Sequence, residues 1–245
     1  MRLCSCLLSA LVFALSTPPA PAQTQPASPN RALLATGQLA SVVELPFFFR
    51  LYRVRLPAAQ RASYSGSSAM LYDVSGTSAI DTGGSAHLLA EGAGAFIAAG
   101  EAATIRASES EPADLLLFLL TARPNQREAL LDYPAVVREL FRTPDPLPGL
   151  QAGPYEFSLA RVTLPAGMPT NAGHYRSGAA LDYVLAGEGT LTADGKTQAM
   201  SAKTPLFEPS GWIHGWANPG SMPLVLLQAN ISREGDPAVV PAAPK

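Results

Sequence analysis

The sequence predicts an all-β protein with two small barrels in tandem, and the first observation behind this is a recurring pattern of short apolar runs. These runs have strand length and are separated, about every 8–12 residues, by Gly, Pro, Asp or Ser, which is typical of β-sandwiches and barrels. The second observation is an internal repeat. RVRLPAA at 53–59 resembles RVTLPAG at 161–167, and YDVSG at 72–76 resembles YVLAG at 183–187.

Two further pairs of segments extend the repeat in the same order along the chain. FIAAG at 96–100 resembles FEPSG at 207–211, and LLLFLL at 115–120 corresponds to VLLQAN at 225–230. All four pairs are separated by about 110 residues, with one small insertion, which indicates a duplicated structural unit.

The duplication sets the predicted domain boundaries. We expect the first barrel over 33–122 and the second over 154–233. Between them, PNQREALLDYPAVVRELFRT has helical character, so 123–153 is predicted to be a short helical linker. The end of the chain, 234–245, is rich in Pro and Ala and is predicted to be a disordered tail.

The first 22 residues have the features of an export signal. Arg2 precedes an apolar run, LLSALVFAL, that is too short to span a bilayer, and Ala20-Pro21-Ala22 offers a small-residue cleavage site. We therefore expect a signal peptide over 1–22 and an exported protein. The preference for Arg over Lys and the high Ala and Pro content favour a bacterial source, so the expected location is periplasmic or extracellular.

Composition argues against several classes of partner and cofactor. Both cysteines, Cys4 and Cys6, would leave with the signal peptide, so the mature chain would have no thiolate to bind a metal. The formal net charge is −2 and no basic run occurs, which argues against nucleic-acid binding. Beyond the signal, no apolar stretch reaches the length of a membrane span.

The second unit resembles a cupin barrel through two motifs. In this family the first motif is His-x-His, three or four residues, Glu, six residues and Gly, and the second is Pro-x-Gly, two residues, His, three residues and Asn. Here the matching residues are His174 and Gly187 in the first motif, and Pro209, Gly211, His214 and Asn218 in the second. The resemblance implies a bicupin, with two barrels of the double-stranded β-helix, or jelly-roll, type. Cupin barrels also have exposed edge strands, which favour a homodimer.

The first motif departs from the family at two metal ligands. Arg176 stands at the position of the second histidine, and Ala180 stands at that of the glutamate. The repeat also places no ligand at the corresponding positions of the first unit, which are Ser63, Ser65, Ala69 and Ala103. His87 lies elsewhere in that unit and is expected to be an ordinary surface or half-buried residue. The first barrel is therefore expected to be a structural partner of the second.

Strand geometry predicts which side chains share the interior of the second barrel. Successive side chains of a strand point to opposite faces. If His174 points inward, so do Arg176 and Asp182, and on the other motif strand His214 shares its face with Trp216. The candidate site therefore contains two histidines, a guanidinium, a carboxylate and an indole.

A metal site is one interpretation of these five residues. His174, His214 and Asp182 would bind one divalent metal, Fe, Mn, Zn or Cu, and the resemblance would then imply an oxygenase or isomerase. Two features oppose it. Asp182 lies two residues past the glutamate position of the family, and the fixed charge of Arg176 repels a cation.

Two metal-free interpretations remain open beside it. In one, Arg176 presents its planar fork to a small anionic or aromatic molecule, with Asp182, Trp216 and the two histidines around it. In the other, Arg176 and Asp182 only form a buried polar core. Whether the protein is an enzyme stays undecided: a histidine would be the general acid or base, but the sequence shows no nucleophile or triad.

Overall fold

The computed structural model describes residues 28–39, 46–122 and 131–243. All regular structure in these residues is β-strand, and the predicted all-β class is confirmed. None of them belongs to a helix with the length and apolar character needed to cross a membrane. The predicted signal peptide, 1–22, lies outside the described residues.

The strands follow one another with short connections. The strands of the N-terminal half are β1 (Asn30–Leu39), β2 (Phe48–Leu56), β3 (Arg61–Tyr64), β4 (Ser68–Ser75), β5 (Thr77–Thr82), β6 (Ser85–Ala90), β7 (Gly94–Ile97), β8 (Ala103–Ala107) and β9 (Ala113–Thr121). Those of the C-terminal half are β10 (Val136–Arg142), β11 (Tyr155–Leu164), β12 (His174–Arg176), β13 (Ala179–Ala186), β14 (Glu188–Ala193), β15 (Lys196–Ser201), β16 (Pro205–Glu208), β17 (His214–Ala217), β18 (Leu224–Arg233) and β19 (Val239–Pro241).

These strands form two barrels, each made of two antiparallel sheets. The sheets of the first barrel have the orders β10-β2-β9-β4-β7 and β3-β8-β5-β6. Those of the second have the orders β1-β11-β18-β13-β16 and β15-β14-β17-β12-β19. The interior of the first barrel is almost wholly apolar, whereas that of the second combines an apolar part with buried polar residues.

Each barrel takes its outermost strand from the other unit of the repeat. β1 comes first in the chain but pairs with β11 of the second barrel, and β10 follows the first barrel but pairs with its β2. Both pairings contain a bulge, between Leu33 and Ala35 in β1 and between Glu139 and Phe141 in β10. β1 and β10 are therefore equivalent first strands of the two repeats, exchanged between the barrels.

The predicted helical linker over 123–153 is wrong where the structure describes it. Val136–Arg142 is strand β10, and residues 123–130 lie outside the described residues. The bulge at Glu139 interrupts the alternation of apolar and polar residues that is typical of a strand. The apolar residues of β10 are therefore spaced in the sequence like those of a helix. Glu139 also accepts a hydrogen bond from Arg50 Nη2 of β2 at 2.8 Å, which holds the strand in place.

The predicted disordered tail, 234–245, is also wrong in part. Val239–Pro241 forms β19, which pairs with the outer edge of β12. Beyond it, the Ala242 amide donates to the Gly173 carbonyl at 2.8 Å. β12 is a short strand whose outer edge would otherwise leave its backbone groups unpaired, and β19 satisfies them.

The two barrels pack back to back through the outer faces of their five-stranded sheets. This shared core contains side chains from both, including Phe49, Phe118, Phe157, Leu181 and Ile231. The rings of Phe49 and Phe157 meet across the interface with centroids 6.3 Å apart. Because the outer faces are used for the interface, the inner faces of each barrel are left to form its interior.

Equivalent glycines close the same tight turn in both units. Gly76 and Gly187 have positive φ angles, +95° and +82°. A Cβ added at Gly76 would lie 2.5 Å from the Pro112 carbonyl oxygen, and one at Gly187 would lie 2.4 Å from that of Pro223. Only glycine fits both the conformation and the space, so Gly187 of the first motif has a structural role.

Asp73 is a buried carboxyl of the first barrel whose pKa makes stability depend on pH. Ser78 Oγ donates to its Oδ2 at 2.8 Å, and burial raises its pKa to about 6. Because this pKa lies above that of the unfolded chain, the stabilising contribution is present at acid pH and is lost as pH rises through about 6. Relative to Asp73→Asn, the wild type is expected to lose about 2 kcal/mol of unfolding free energy between about pH 4 and about pH 7.

Urea unfolding at the two pH values measures this difference. Asp73→Asn keeps an acceptor for Ser78, and Asp81→Asn, at an exposed carboxyl of β5, is the control. An identical pH response of the wild type and Asp73→Asn would contradict the prediction.

Candidate functional site

The candidate site lies inside the second barrel, where both sheets contribute buried polar side chains. The five-stranded sheet supplies Asp182 on β13, Glu208 on β16 and Gln228 on β18, and the facing sheet supplies Arg176 on β12 and His214 on β17. Asp182 and Gln228 lie directly opposite each other in the register of their strands, so both point to the inner face. We call these five residues the polar cluster.

Arg176 is the centre of the polar cluster, and Glu208 is its nearest ionic partner. The side chains of both are fully buried, and Arg176 Nε donates to Glu208 Oε2 at 2.5 Å. Arg176 Nη2 also pairs with Asp182 Oδ2, at 3.7 Å. The pair considered from the sequence, Arg176 with Asp182, is therefore present but is the longer of the two.

Glu208 contacts the facing sheet through its second oxygen. His214 Nε2 lies 2.9 Å from Glu208 Oε1, at an angle outside that of a good hydrogen bond. Trp216 Nε1 donates to the same oxygen at 3.4 Å. The carboxylate thus connects Arg176, His214 and Trp216 in one buried network.

The two carboxyl groups of the polar cluster favour different protonation states. Burial and the negative charge of Glu208 raise the pKa of Asp182 well above its ordinary value, and Arg176 and a hydrogen bond from Gln228 oppose this only in part. Burial also acts to raise the pKa of Glu208, but the charge of Arg176, the hydrogen bond from Arg176 and the close approach of His214 hold it below its usual range. Glu208 is therefore the anionic partner of Arg176, and Asp182 favours its neutral form.

The two histidines lie side by side next to the polar cluster. His174 and His214 face each other in the register of β12 and β17, with ring centroids 4.5 Å apart. His214 Nδ1 lies 3.0 Å from the Trp212 carbonyl, and the Trp212 ring stacks on His214 at 5.0 Å. Burial and the nearby His214 lower the pKa of His174, which favours its neutral form.

A cavity of about 340 Å³ opens onto this region. Its polar lining includes Arg31, Asn171, His174, Arg176 and Gln228. The apolar wall consists of Val162, Leu164, Trp216, Leu226, Val239 and Pro241. A mostly apolar concave site of this size with a few convergent polar groups is typical of small-molecule binding.

Hydrogen-bonding capacity is left over beside the cavity. Arg176 Nη1 and Nη2 are buried and have no hydrogen-bond partner among the described residues. The same holds, within that part of the chain, for Asp182 Oδ1 and both polar atoms of the Asn230 side chain. Buried donors and acceptors without partners are costly. Of these three residues only Arg176 lines the cavity, so its guanidinium is where a bound molecule would supply partners.

The first barrel shows that the fold itself does not require the polar cluster. The register of the equivalent strands matches three cluster positions to buried apolar residues: Leu71 for Asp182, Ile97 for Glu208 and Leu117 for Gln228. The same scaffold therefore closes around an apolar interior, and the polar residues of the second barrel need a different explanation.

The first barrel also brings no set of metal-binding side chains together. Of its positions equivalent to metal ligands, Ser63 and Ser65 are exposed, and Ala69 and Ala103 are buried. His87 is exposed on β6. In the described part of the chain, no group of three or more His, Cys, Asp or Glu side chains is arranged to hold a metal ion.

Sequence reasoning missed three residues of the site, Glu208, Gln228 and Arg31. A signal for Glu208 was available, because FIAAG and FEPSG of the repeat place a glutamate where the first unit has Ile97. No comparable signal existed for Arg31, which lies in β1 and reaches the second barrel only through the strand exchange.

The sequence of the second barrel matches a known domain family. The family model described as Cupin domain matches residues 160–229. The chain contains a cupin domain. The matched residues include the whole polar cluster, so the candidate site lies within the cupin domain itself. In sequence, none of the curated proteins matches the chain.

Solved structures extend the likeness to both barrels. A structure of Bacillus subtilis oxalate decarboxylase, described with its Mn(II) centres, is 14% identical, with a TM-score of 0.58 over 83% of this chain and 78% of that one. A second structure of the same enzyme, determined at pH 4.6, has 14% identity and a TM-score of 0.56 over the same shares. At this identity the likeness establishes the fold, which is that of a bicupin.

The residues of this cupin domain do not fit a metal ion of the kind that those Mn(II) centres contain. The interior of the barrel already contains a positive charge, the guanidinium of Arg176, which is ion-paired with Glu208. Asp182 is engaged by Gln228 and Arg176 and favours its neutral form. A cation placed between these groups would meet a fixed positive charge and one available carboxylate, which is already paired.

Proposed function

We propose that the second barrel of this bicupin binds a small molecule without a metal, in a pocket organised around Arg176. One observation carries the proposal. A fully buried arginine lines a cavity of about 340 Å³, and two nitrogens of its guanidinium have no hydrogen-bond partner among the described residues. A guanidinium in that position can hold a carboxylate or another acceptor in its planar fork.

The contrast between the two barrels supports this proposal over a purely structural polar core. A buried ion pair contributes little to stability compared with apolar packing, and the first barrel fills the matched positions with Leu71, Ile97 and Leu117. The polar residues, retained beside a cavity, instead suit recognition of a ligand.

A metal-dependent cupin enzyme is the competing proposal, and one observation favours it. The ring centroids of His174 and His214 lie 4.5 Å apart, close enough for both side chains to bind one metal ion. The similar solved structure is described with Mn(II) centres. Among the described residues of this chain, however, both nearby carboxyl groups are engaged, Glu208 by Arg176 and Asp182 by Gln228. Export to the periplasm or the cell exterior, and a homodimer, stay predictions.

The test uses benzoate, benzamide and benzylamine, an anion, a neutral molecule and a cation of one shape. The chelator-treated protein is expected to bind at least one of these three probes in ligand-observed NMR and calorimetry. Ala172→Trp, at an exposed residue of the cavity wall, should abolish this binding by filling the mouth of the cavity.

The control is Ala86→Trp, at an exposed residue on β6 of the first barrel. It adds the same side chain away from the cavity and should leave the affinity unchanged. Absence of binding of all three probes, or binding that Ala172→Trp does not affect, would overturn the proposal. Binding that requires added Mn²⁺ would establish the competing one.

A further inference from the structure

Arg31 is a second charged group in the wall of the cavity. In the register of β1 and β11 it lies opposite Val162, whose side chain also lines the cavity, so Arg31 stands on the inner face of the sheet. It is exposed to solvent, whereas Arg176 is fully buried. The two guanidiniums therefore mark the outer and the inner part of one cavity.

The charges around the cavity are distributed unevenly. Both charged residues that line it, among the described residues, are arginines, and no Asp or Glu side chain belongs to this lining. The acidic groups that act on them lie outside the lining: Glu208 and Asp182 beside Arg176, and Glu156 near Arg31. Partial burial and the charge of Arg176 lower the pKa of Arg31, so the two guanidiniums repel each other through the cavity.

The rest of the wall is apolar. Val162, Leu164, Leu226 and the ring of Trp216 form one side, and Val239 of β19 contributes at the edge. Besides the arginines, the polar lining consists of Asn171, His174 and Gln228, and Gln228 Nε2 already donates to Asp182. A carboxylate matches the planar forks of the arginines, and the apolar wall suits a ligand with an apolar body.

We propose that Arg31, on the strand that the first repeat contributes to the second barrel, is an anion-binding residue, and that the ligand is a small monocarboxylate with an apolar body. Its carboxylate lies between Arg31 and Arg176, and its body lies against Trp216 and Leu226. This inference rests on the proposed function, since it assigns the ligand class of the same pocket.

Calorimetry with matched probes and variants tests the assignment. The wild type is expected to bind benzoate at least about 10-fold more tightly than benzamide, because only the anion gains from both guanidiniums. Arg31→Gln is expected to reduce the affinity for benzoate about 10-fold and to leave that for benzamide unchanged. Arg138→Gln, at an exposed arginine on the equivalent strand β10, is the control and should change neither affinity.

The outcomes separate this inference from the proposed function. Equal affinity of Arg31→Gln and the wild type for benzoate would overturn the role of Arg31. Tighter binding of benzamide or benzylamine than of benzoate, still abolished by Ala172→Trp, would overturn the ligand class and leave the metal-free pocket standing. Absence of binding of all three probes would overturn both.

Discussion

Glu208→Ile is expected to lower the free energy of unfolding by about 3–5 kcal/mol, because it leaves the guanidinium of Arg176 buried with its closest partner removed. Glu208 is fully buried and accepts from Arg176 Nε at 2.5 Å, while its other oxygen contacts His214 and Trp216. Asp182 cannot replace it without taking up a charge that its surroundings disfavour. Urea unfolding at neutral pH measures the loss.

The double variant Arg176→Met/Glu208→Ile is the matched control for this prediction. It removes both charges and introduces at position 208 the residue type that the first barrel has at the matched position, Ile97. Replacing a buried ion pair by apolar side chains is often neutral or stabilising, so the double variant should be more stable than the single one. A single variant as stable as the wild type would mean that the pair is not desolvated as the structure shows it.

Arg176→Lys is expected to weaken binding of the best probe about 100-fold while the protein stays folded. A lysine keeps a positive charge for Glu208 but lacks Nη1 and Nη2, the two guanidinium nitrogens of this cavity-lining arginine that have no hydrogen-bond partner among the described residues. A hydrogen bond to a charged group contributes about 1.5–3 kcal/mol, and about 2.7 kcal/mol corresponds to a factor of about 100 in affinity. Calorimetry with the probe, together with thermal unfolding of the same sample, measures both effects.

Arg50→Lys provides the control for a change of this kind. Arg50 is a buried arginine of the first barrel that pairs with Glu139 at 2.8 Å, so its replacement disturbs an equivalent type of ion pair away from the cavity. It should alter stability without altering affinity. Affinity unchanged in Arg176→Lys would remove Arg176 from the binding site.

The fold could be predicted from the sequence because the duplication repeats its strand and turn signals. The tight turns at Gly76 and Gly187, and the apolar runs between them, define each unit through local chemistry. The exchange of β1 and β10 could not be predicted, since it depends on which sheet edge lies nearby in the folded protein. The bulge at Glu139 also made β10 resemble a helix, because it breaks the alternation by which a strand is recognised.

The candidate site could be predicted only in part, from strand parity, which is the alternation of side chains between the two faces of a strand. Parity places Arg176 and Asp182 on one face of the barrel, as the structure shows them. It gives no distances between strands, so it did not reveal that Glu208 is closer to Arg176 than Asp182 is. Strand parity could not predict the position of Arg31, because this residue belongs to β1 near the start of the chain and lines the cavity only through the strand exchange.

Metal content and probe affinity, determined on the same sample purified without chelator or affinity metal, test the metal-free pocket most directly. Elemental analysis is expected to find far less than one equivalent of Fe, Mn, Zn or Cu, and the same protein is expected to bind benzoate. His174→Ala should not change the metal content. Close to one equivalent of metal that disappears in His174→Ala, together with benzoate binding that is lost on chelation, would contradict the arginine-centred pocket.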